Sequence, residues 1–190
     1  MNGKCCLFLC LTVTMVLSAC MGNKCKIEGL ADGFAEGDTM LLSDIYTSDN
    51  TCDTVIVSKS RFSAKVMADS ARLYKVWALS APEIQALFFA EPGQTARVVL
   101  RADGTSMVSG TEANDAWQQL TDMCNAYEQQ VEALVSSFYD DNVSADELER
   151  TTEQIRKLDR QKSEWMDDFY ERNKGNAMGA FLRDNIERAD

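Results

Sequence analysis

The apolar residues of this 190-residue chain change their spacing at Gly110, and this change limits the folds open to the chain. Before Gly110, short apolar runs are separated by turn residues such as Glu91-Pro92-Gly93, a pattern typical of β-strands. After Gly110, apolar residues recur every three or four positions, which is typical of amphipathic helices. The sequence therefore predicts the α+β class, with strands and helices in separate parts of the chain.

About eight short strands are predicted before Gly110, with close turns and no helix between them. The clearest of them alternates Phe62, Ala64 and Val66, which are expected to point inward, with polar residues. Many short strands joined in this way predict an antiparallel β-sandwich or an open barrel. The predicted strands cover residues 26–30, 39–45, 54–58, 61–67, 73–79, 86–90, 96–101 and 106–109.

Two long helices are predicted after Gly110, the first from about Asn114 and the second after a capping box formed by Ser144 and Glu147. Their apolar residues form one seam, and the short connection predicts a long antiparallel hairpin in which Cys124 lies opposite Lys162. Packing within the hairpin accounts for this seam, and a groove for a partner is the alternative. A third, short helix is expected from Asn176. The predicted seam residues are Trp117, Leu120, Cys124, Tyr127, Val131, Leu134, Phe138, Leu148, Ile155, Leu158, Trp165 and Phe169.

The first residues of the chain have the pattern of an export signal. Lys4 is the only charge before Lys24, and the uncharged stretch that follows Lys4 is too short to span a bilayer. The segment Leu17-Ser18-Ala19-Cys20 resembles the lipobox of bacterial lipoproteins, in which cleavage precedes a cysteine that carries lipid. Ordinary secretory cleavage is the alternative. We therefore expect acylation of Cys20 and attachment to a membrane. An aspartate directly after the lipidated cysteine retains some lipoproteins in the inner membrane. Because Met21 occupies that position here, we expect the periplasmic face of the outer membrane.

The composition excludes several kinds of site. The chain has no histidine, which removes Ser-His and Cys-His nucleophilic pairs and histidine-ligated metals. Its formal net charge of −11 argues against nucleic acid as a partner. The carboxylate pairs are Asp140/Asp141, Asp146/Glu147 and Asp167/Asp168, and adjacent residues point apart on a helix. We expect no catalytic residue, no metal and no cofactor.

Three cysteines remain after the expected anchor, namely Cys25, Cys52 and Cys124, and they form no C-x-x-C motif. An oxidising periplasm would allow a disulfide between Cys25 and Cys52. Buried free thiols are the alternative, because cysteine packs like a small apolar residue. Cys124 is expected in the core because it lies on an apolar helical face.

Segments 25–29, 38–44, 88–93 and 109–117 occur in an order that resembles a known family. The chain is similar to the N-terminal β-domain of unknown function found in lipoproteins of Bacteroides-type bacteria. In that family a helical segment similar to residues 176–182 follows, and a thioredoxin-like thiol:disulfide oxidoreductase domain completes the protein. The redox C-x-x-C of that domain has no counterpart in this sequence, so its activity is not carried over.

These observations divide the chain into a signal peptide at residues 1–19, a lipidated tether at 20–24, a β-sandwich domain at 25–110 and a helical part at 111–190. They predict a lipid-anchored protein without enzymatic activity that binds or scaffolds a periplasmic protein. The alternative is the accessory N-terminal half of a thioredoxin-like oxidoreductase whose catalytic domain is missing or separate.

Overall fold

The structure, a computed structural model, describes residues 22–47, 52–139 and 144–186. Within these ranges eight strands form two four-stranded sheets, and three α-helices follow them, which confirms the α+β class. The two sheets face one another as a sandwich and do not close into a barrel. The predicted signal peptide and Cys20 lie outside the described residues. No helix in the described part of the chain is long and apolar enough to cross a membrane.

All eight predicted strands are present, and two of them have the predicted bounds. The strands are β1 (Lys24–Asp32), β2 (Thr39–Asp44), β3 (Asp53–Ile56), β4 (Arg61–Met67), β5 (Arg72–Ala78), β6 (Ala81–Ala90), β7 (Thr95–Arg101) and β8 (Ser106–Ser109). The helices are α1 (Glu112–Val135), α2 (Ala145–Asn173) and α3 (Ala177–Ile186), and one 3-10 turn, Ser136–Tyr139, follows α1.

The first sheet has the strand order β4-β1-β7-β8, and the second has the order β3-β2-β5-β6. Five of the six pairings are antiparallel, but β1 and β7 run parallel, with Lys26 opposite Thr95. An entirely antiparallel arrangement was expected. The difference arises because β6 ends at the same end of the sandwich where β1 begins, so β7 enters the first sheet in the direction of β1.

The core of the sandwich consists of the inward side chains of both sheets. The expected alternation in β4 is confirmed, since Phe62 and Val66 are buried and Ala64 is half-buried against the same cluster. Burial of apolar surface is the main force that holds the sheets together. The largest fully buried members of this cluster are Ile27, Met40, Leu42, Val57, Val66, Val76, Phe88, Val98 and Leu100.

Each helix begins directly after a polar capping residue. Thr111 caps α1, which begins at Glu112, two residues before the start expected near Asn114. Ser144 and Glu147 form the predicted capping box of α2, with both reciprocal hydrogen bonds present. The Oδ1 atom of Asn176 accepts from the N–H groups of Met178 and Gly179, and α3 begins directly after it.

A second apolar cluster joins the helices to the outer face of the second sheet. It contains Leu73 and Phe89 from the sheet, together with Ala116, Phe169 and Met178 from α1, α2 and α3. The sandwich and the helical part therefore share a continuous packed interior, and the base of the helical hairpin is fixed against the sheet.

Candidate functional site

The buried side chain of Asn114 joins α1 to the edge of the second sheet by hydrogen bonds. The Asn114 Nδ2 group donates to the carbonyl oxygen of Phe89 at 2.9 Å, and Asn114 Oδ1 accepts from the N–H of Phe89 at 2.7 Å. Phe89 lies on β6, the edge strand, so its outward backbone groups lack a neighbouring strand. Asn114 therefore replaces the hydrogen bonds of a strand that the sheet does not have.

The first turn of α1 places Asn114 for this role. The Oγ1 atom of Thr111 accepts from the backbone N–H of Asn114 at 3.2 Å and from its Nδ2 group at 3.0 Å. The apolar spacing places Asn114 near the start of a helix but gives no indication of its partner on β6. Asn114 lies three residues before Trp117, so it occupies a position of the apolar seam although it is polar. This polar residue in an apolar pattern was the signal available in the sequence.

Three aromatic rings close the base of the helices over the sheet. Phe89, Trp117 and Phe181 pack edge to face, with ring centroids 5.4 to 5.8 Å apart. Aromatic pairs in this geometry stabilise a packed cluster beyond the area that they bury. Because Leu73 and Phe89 are both buried here, the helices cover most of this end of the outer sheet face.

The other end of the same sheet face is not covered, and we call its apolar residues the outer patch: Leu41, Ile56, Trp77 and Leu79. These side chains point away from the sandwich core, because successive residues of a strand face opposite sides and the neighbouring Met40 and Ala78 belong to the core. Leu41 lies opposite Trp77, and Ile56 lies opposite Thr39.

The two outermost members of the outer patch are strongly exposed. Ile56 has 53% of its surface accessible and Leu79 has 56%, and these are large values for aliphatic residues. The Leu79 N–H donates to the carbonyl of Thr39, so Ile56 and Leu79 lie on either side of β2. Contiguous exposed apolar residues of this kind mark surfaces that bind other molecules.

Lys75 lies at the border between the outer patch and the covered end of the sheet. Its Nζ atom is 4.4 Å from the centroid of the Trp77 ring, a cation–π contact that holds one positive charge beside the apolar residues. The outer patch can therefore bind apolar side chains and attract a neighbouring carboxylate.

Most of the hairpin extends away from the sandwich, and we call residues 118–135 and 145–168 the helical arm. Full burial in α1 is confined to Ala113, Asn114 and Ala116, and in the described part of α2 to Phe169 and Asn173. At 1.5 Å per residue, the α1 part of the arm is about 27 Å long. Its two helices therefore contact mainly each other.

One cluster in the helical arm shows how its helices are aligned. The hydroxyl of Tyr127 donates to the carboxylate of Asp159, and Lys162 Nζ lies 4.3 Å from the Tyr127 ring centroid. The hydrogen bond to Asp159 raises the pKa of the Tyr127 hydroxyl. The contact fits an antiparallel hairpin in which Cys124 lies opposite Lys162.

The predicted seam residues differ in how far they are buried. Phe169, at the base, is fully buried, whereas Leu148, near the tip, is 47% exposed. A hairpin of only two helices leaves its seam open along both sides, which accounts for the intermediate values. The half-buried seam residues are Trp117, Leu120, Cys124, Tyr127, Val131, Leu134, Phe138, Ile155, Leu158 and Trp165.

An open cleft of about 730 Å³ lies where the first turn of α1 meets β8 and the end of α2. Arg97 and Arg172 line it together with Glu112 and Asp115. Because both signs of charge are present, the cleft suits a polar peptide segment better than a single anion.

The structure contains the three described cysteines as free thiols. Cys25 is completely buried in β1, and this burial raises the pKa of its thiol. Cys52 is exposed, so the expectation of buried thiols holds for Cys25 and not for Cys52, and the disulfide between them stays a prediction. Cys124 is half-buried instead of lying in the core, because the helical arm has no core beyond its own seam.

The described acidic groups do not assemble into a metal site. Within residues 22–47, 52–139 and 144–186, no group of three or more Cys, Asp or Glu side chains is placed to hold a metal ion. One carboxylate oxygen in these ranges, Oε2 of Glu91, is buried without a hydrogen-bond partner. The backbone N–H of the same residue lies beside the Cys25 thiol.

Residues 25–117 match the model of a family described as a domain of unknown function, DUF4369. This match confirms the N-terminal domain of unknown function that the sequence resembles. The matched region extends past the last strand to Trp117, and the structure explains this end, since Asn114 and Trp117 belong to the packing of the sheet. No curated protein matches the chain.

Replacing Asn114 with leucine should lower the free energy of unfolding by about 3 kcal/mol, because two backbone groups of Phe89 lose their partners in a buried site. Chemical denaturation followed by circular dichroism measures the change. Asn125→Leu, at an exposed position on the same helix, is the control and should change stability little. A similar loss in both variants would show that Asn114 does not fix α1 to the sheet.

Thiol labelling should separate the three described cysteines. In the folded protein we expect a maleimide to modify Cys52 first, Cys124 more slowly and Cys25 only after unfolding, because Cys25 is buried and its thiol pKa is raised. Peptide mass spectrometry after timed labelling measures the order. Resistance of both Cys25 and Cys52 until a reductant is added would instead reveal a disulfide.

Proposed function

We propose that this chain, whose residues 25–117 match the DUF4369 domain, is a lipid-anchored binding or scaffolding module without catalysis of its own. It is attached through acylated Cys20 to the outer membrane and faces the periplasm. The lipobox-like segment Leu17-Ser18-Ala19-Cys20 supports the anchor. The observation that carries the binding role is the outer patch.

The outer patch supports binding because it continues a surface that is already used for packing. The helices cover Leu73 and Phe89 at one end of the outer sheet face, while Ile56 and Leu79 at the other end stay more than half exposed. An apolar segment of a partner protein can extend the same packing over Trp77. A carboxylate on that partner would pair with Lys75.

The helical arm supports the scaffolding role. Its surface is largely charged, and Glu153 pairs with both Arg156 and Arg160 along α2. A polar two-helix projection fixed at its base by Asn114 and Phe169 can hold a second contact at a set distance from the sandwich. Two separate contact surfaces on one rigid body are what a scaffold requires.

The alternative is an accessory role beside a thioredoxin-like oxidoreductase. Residues 176–182 are similar to the segment that precedes the redox domain in the Bacteroides-type lipoproteins, and α3 packs on the same sheet as the helical hairpin. A redox partner would then be the protein that binds here, and the chain itself would supply no reactive cysteine pair.

Mass spectrometry of the protein isolated from its native membrane tests the anchor. We expect the mature N-terminal peptide to begin at Cys20 and to carry the mass of a diacylglycerol with a further acyl chain. A Cys20→Ser variant should leave the membrane fraction. An unmodified Cys20, or cleavage at another residue, would contradict the lipid-anchored part of the proposal.

A photo-crosslinking side chain at Thr39, between Ile56 and Leu79, tests the outer patch in the living host. We expect one discrete protein adduct, and we expect it to disappear when Leu79→Asp is added. The same probe at Ser63, exposed on the outer face of the other sheet, is the matched control. Identical adducts at both positions would contradict the binding role. An adduct with a thioredoxin-like protein would favour the alternative.

A further inference from the structure

We infer that one end of the sandwich rests directly on the lipid headgroups, which fixes how the protein stands on the membrane. We call this end the tether end: residues 22–24, the turn at 67–71, the turn at 91–94, and Tyr46. The inference builds on the proposed acylation of Cys20 and adds to it a second contact with the bilayer, made by the folded body.

Hydrogen bonds bring the segments of the tether end together. The N–H of Ala68 donates to the carbonyl of Asn23 at 2.8 Å, and the N–H of Gly93 donates to the carbonyl of Lys24 at 3.0 Å. Lys24 also lies opposite Met67 across the β1–β4 pairing. Tyr46 lines a small groove with Ala71, which places it at the same end.

The distance from the anchor to this end is short. Since Asn23 is already held by Ala68, only two residues separate Cys20 from the fixed part of the chain. Each residue spans at most about 3.6 Å, so Asn23 lies within roughly 11 Å of the lipidated cysteine. The headgroup region of one leaflet is about 5 to 7 Å thick, so even a fully extended tether leaves Asn23 within about 6 Å of the membrane surface, and the tether end faces that surface.

The exposed side chains of the tether end fit a headgroup surface. Met67 is 57% exposed and Tyr46 is 49% exposed, and residues with an apolar body are suited to the interface between headgroups and acyl chains. The charges here have both signs: Asp44 is paired with Arg72 at 2.6 Å, Lys24 and Asp69 carry opposite signs, and the turn at 91–94 adds the carboxylate of Glu91. The helix base nearby adds both signs, with Glu112 and Arg172.

The opposite end of the sandwich is distinguished from the tether end by its distance from the anchor. Its turns and the strand ends beside them carry charges of both signs, with Asp32, Glu36, Asp38 and Asp103 against Lys59, Arg61 and Arg101. Charge therefore does not choose between the two ends, whereas the short chain after Cys20 does. The outer patch residues Ile56 and Leu79 lie at the end away from the tether end.

Two matched serines allow a direct test with the acylated full-length protein in phosphatidylethanolamine vesicles that contain a minor fraction of phosphatidylglycerol. In a background with Cys52→Ser and Cys124→Ser, a fluorophore is attached at Ser70→Cys in the tether end or at Ser80→Cys in a turn at the opposite end. A nitroxide quencher on the lipid headgroup should quench the first label severalfold more than the second. Equal quenching of both labels would overturn the inference.

Substitutions that introduce charge then test whether the exposed side chains of the tether end contact the lipid headgroups. Met67→Asp combined with Tyr46→Asp should lower the quenching at position 70, while Ile56→Asp combined with Leu79→Asp should leave it unchanged. Failure of the anchor is recorded separately, because protein without lipid on Cys20 does not sediment with the vesicles. Acylated protein that sediments but shows no difference between the two double variants contradicts this inference alone.

Discussion

The hydrogen-bonded pairing between the Asn114 side chain and the backbone of Phe89 is the interaction on which the rest of the molecule depends. It satisfies the outward backbone groups of Phe89 on the edge strand β6 and fixes the start of α1 in the same place. Trp117 and Phe181 then pack on Phe89, and α3 covers one end of the outer sheet face. Without that position of α1, neither the direction of the helical arm nor the limits of the outer patch would be defined.

Local patterns in the sequence predict the elements of this fold well. The alternation around Phe62 and the capping box at Ser144 and Glu147 both act over a few residues, so strands and helix starts can be read from them. The parallel pairing of β1 with β7 could not be predicted, because it depends on the sheet to which each intervening strand belongs. Local spacing carries no information about that choice.

The candidate site was harder to predict for a related reason. The spacing before Trp117 marks Asn114 as unusual, but its partner Phe89 lies on a distant strand. The outer patch contains residues such as Trp77 and Leu79 that any strand of a buried sheet could carry. Their exposure follows from where α3 packs, which only the assembled structure determines.

The position of β1 would have a mechanical consequence if the chain is held by its N-terminus, as we propose. β1 begins at Lys24 and lies inside its sheet, hydrogen-bonded to β4 on one side and to β7 on the other. A force applied at the proposed anchor would pull along the axis of this strand and load both rows of hydrogen bonds in shear, so the bonds would share the load instead of opening one after another. β1 is thus the strand of the domain best placed to resist being pulled out of the fold.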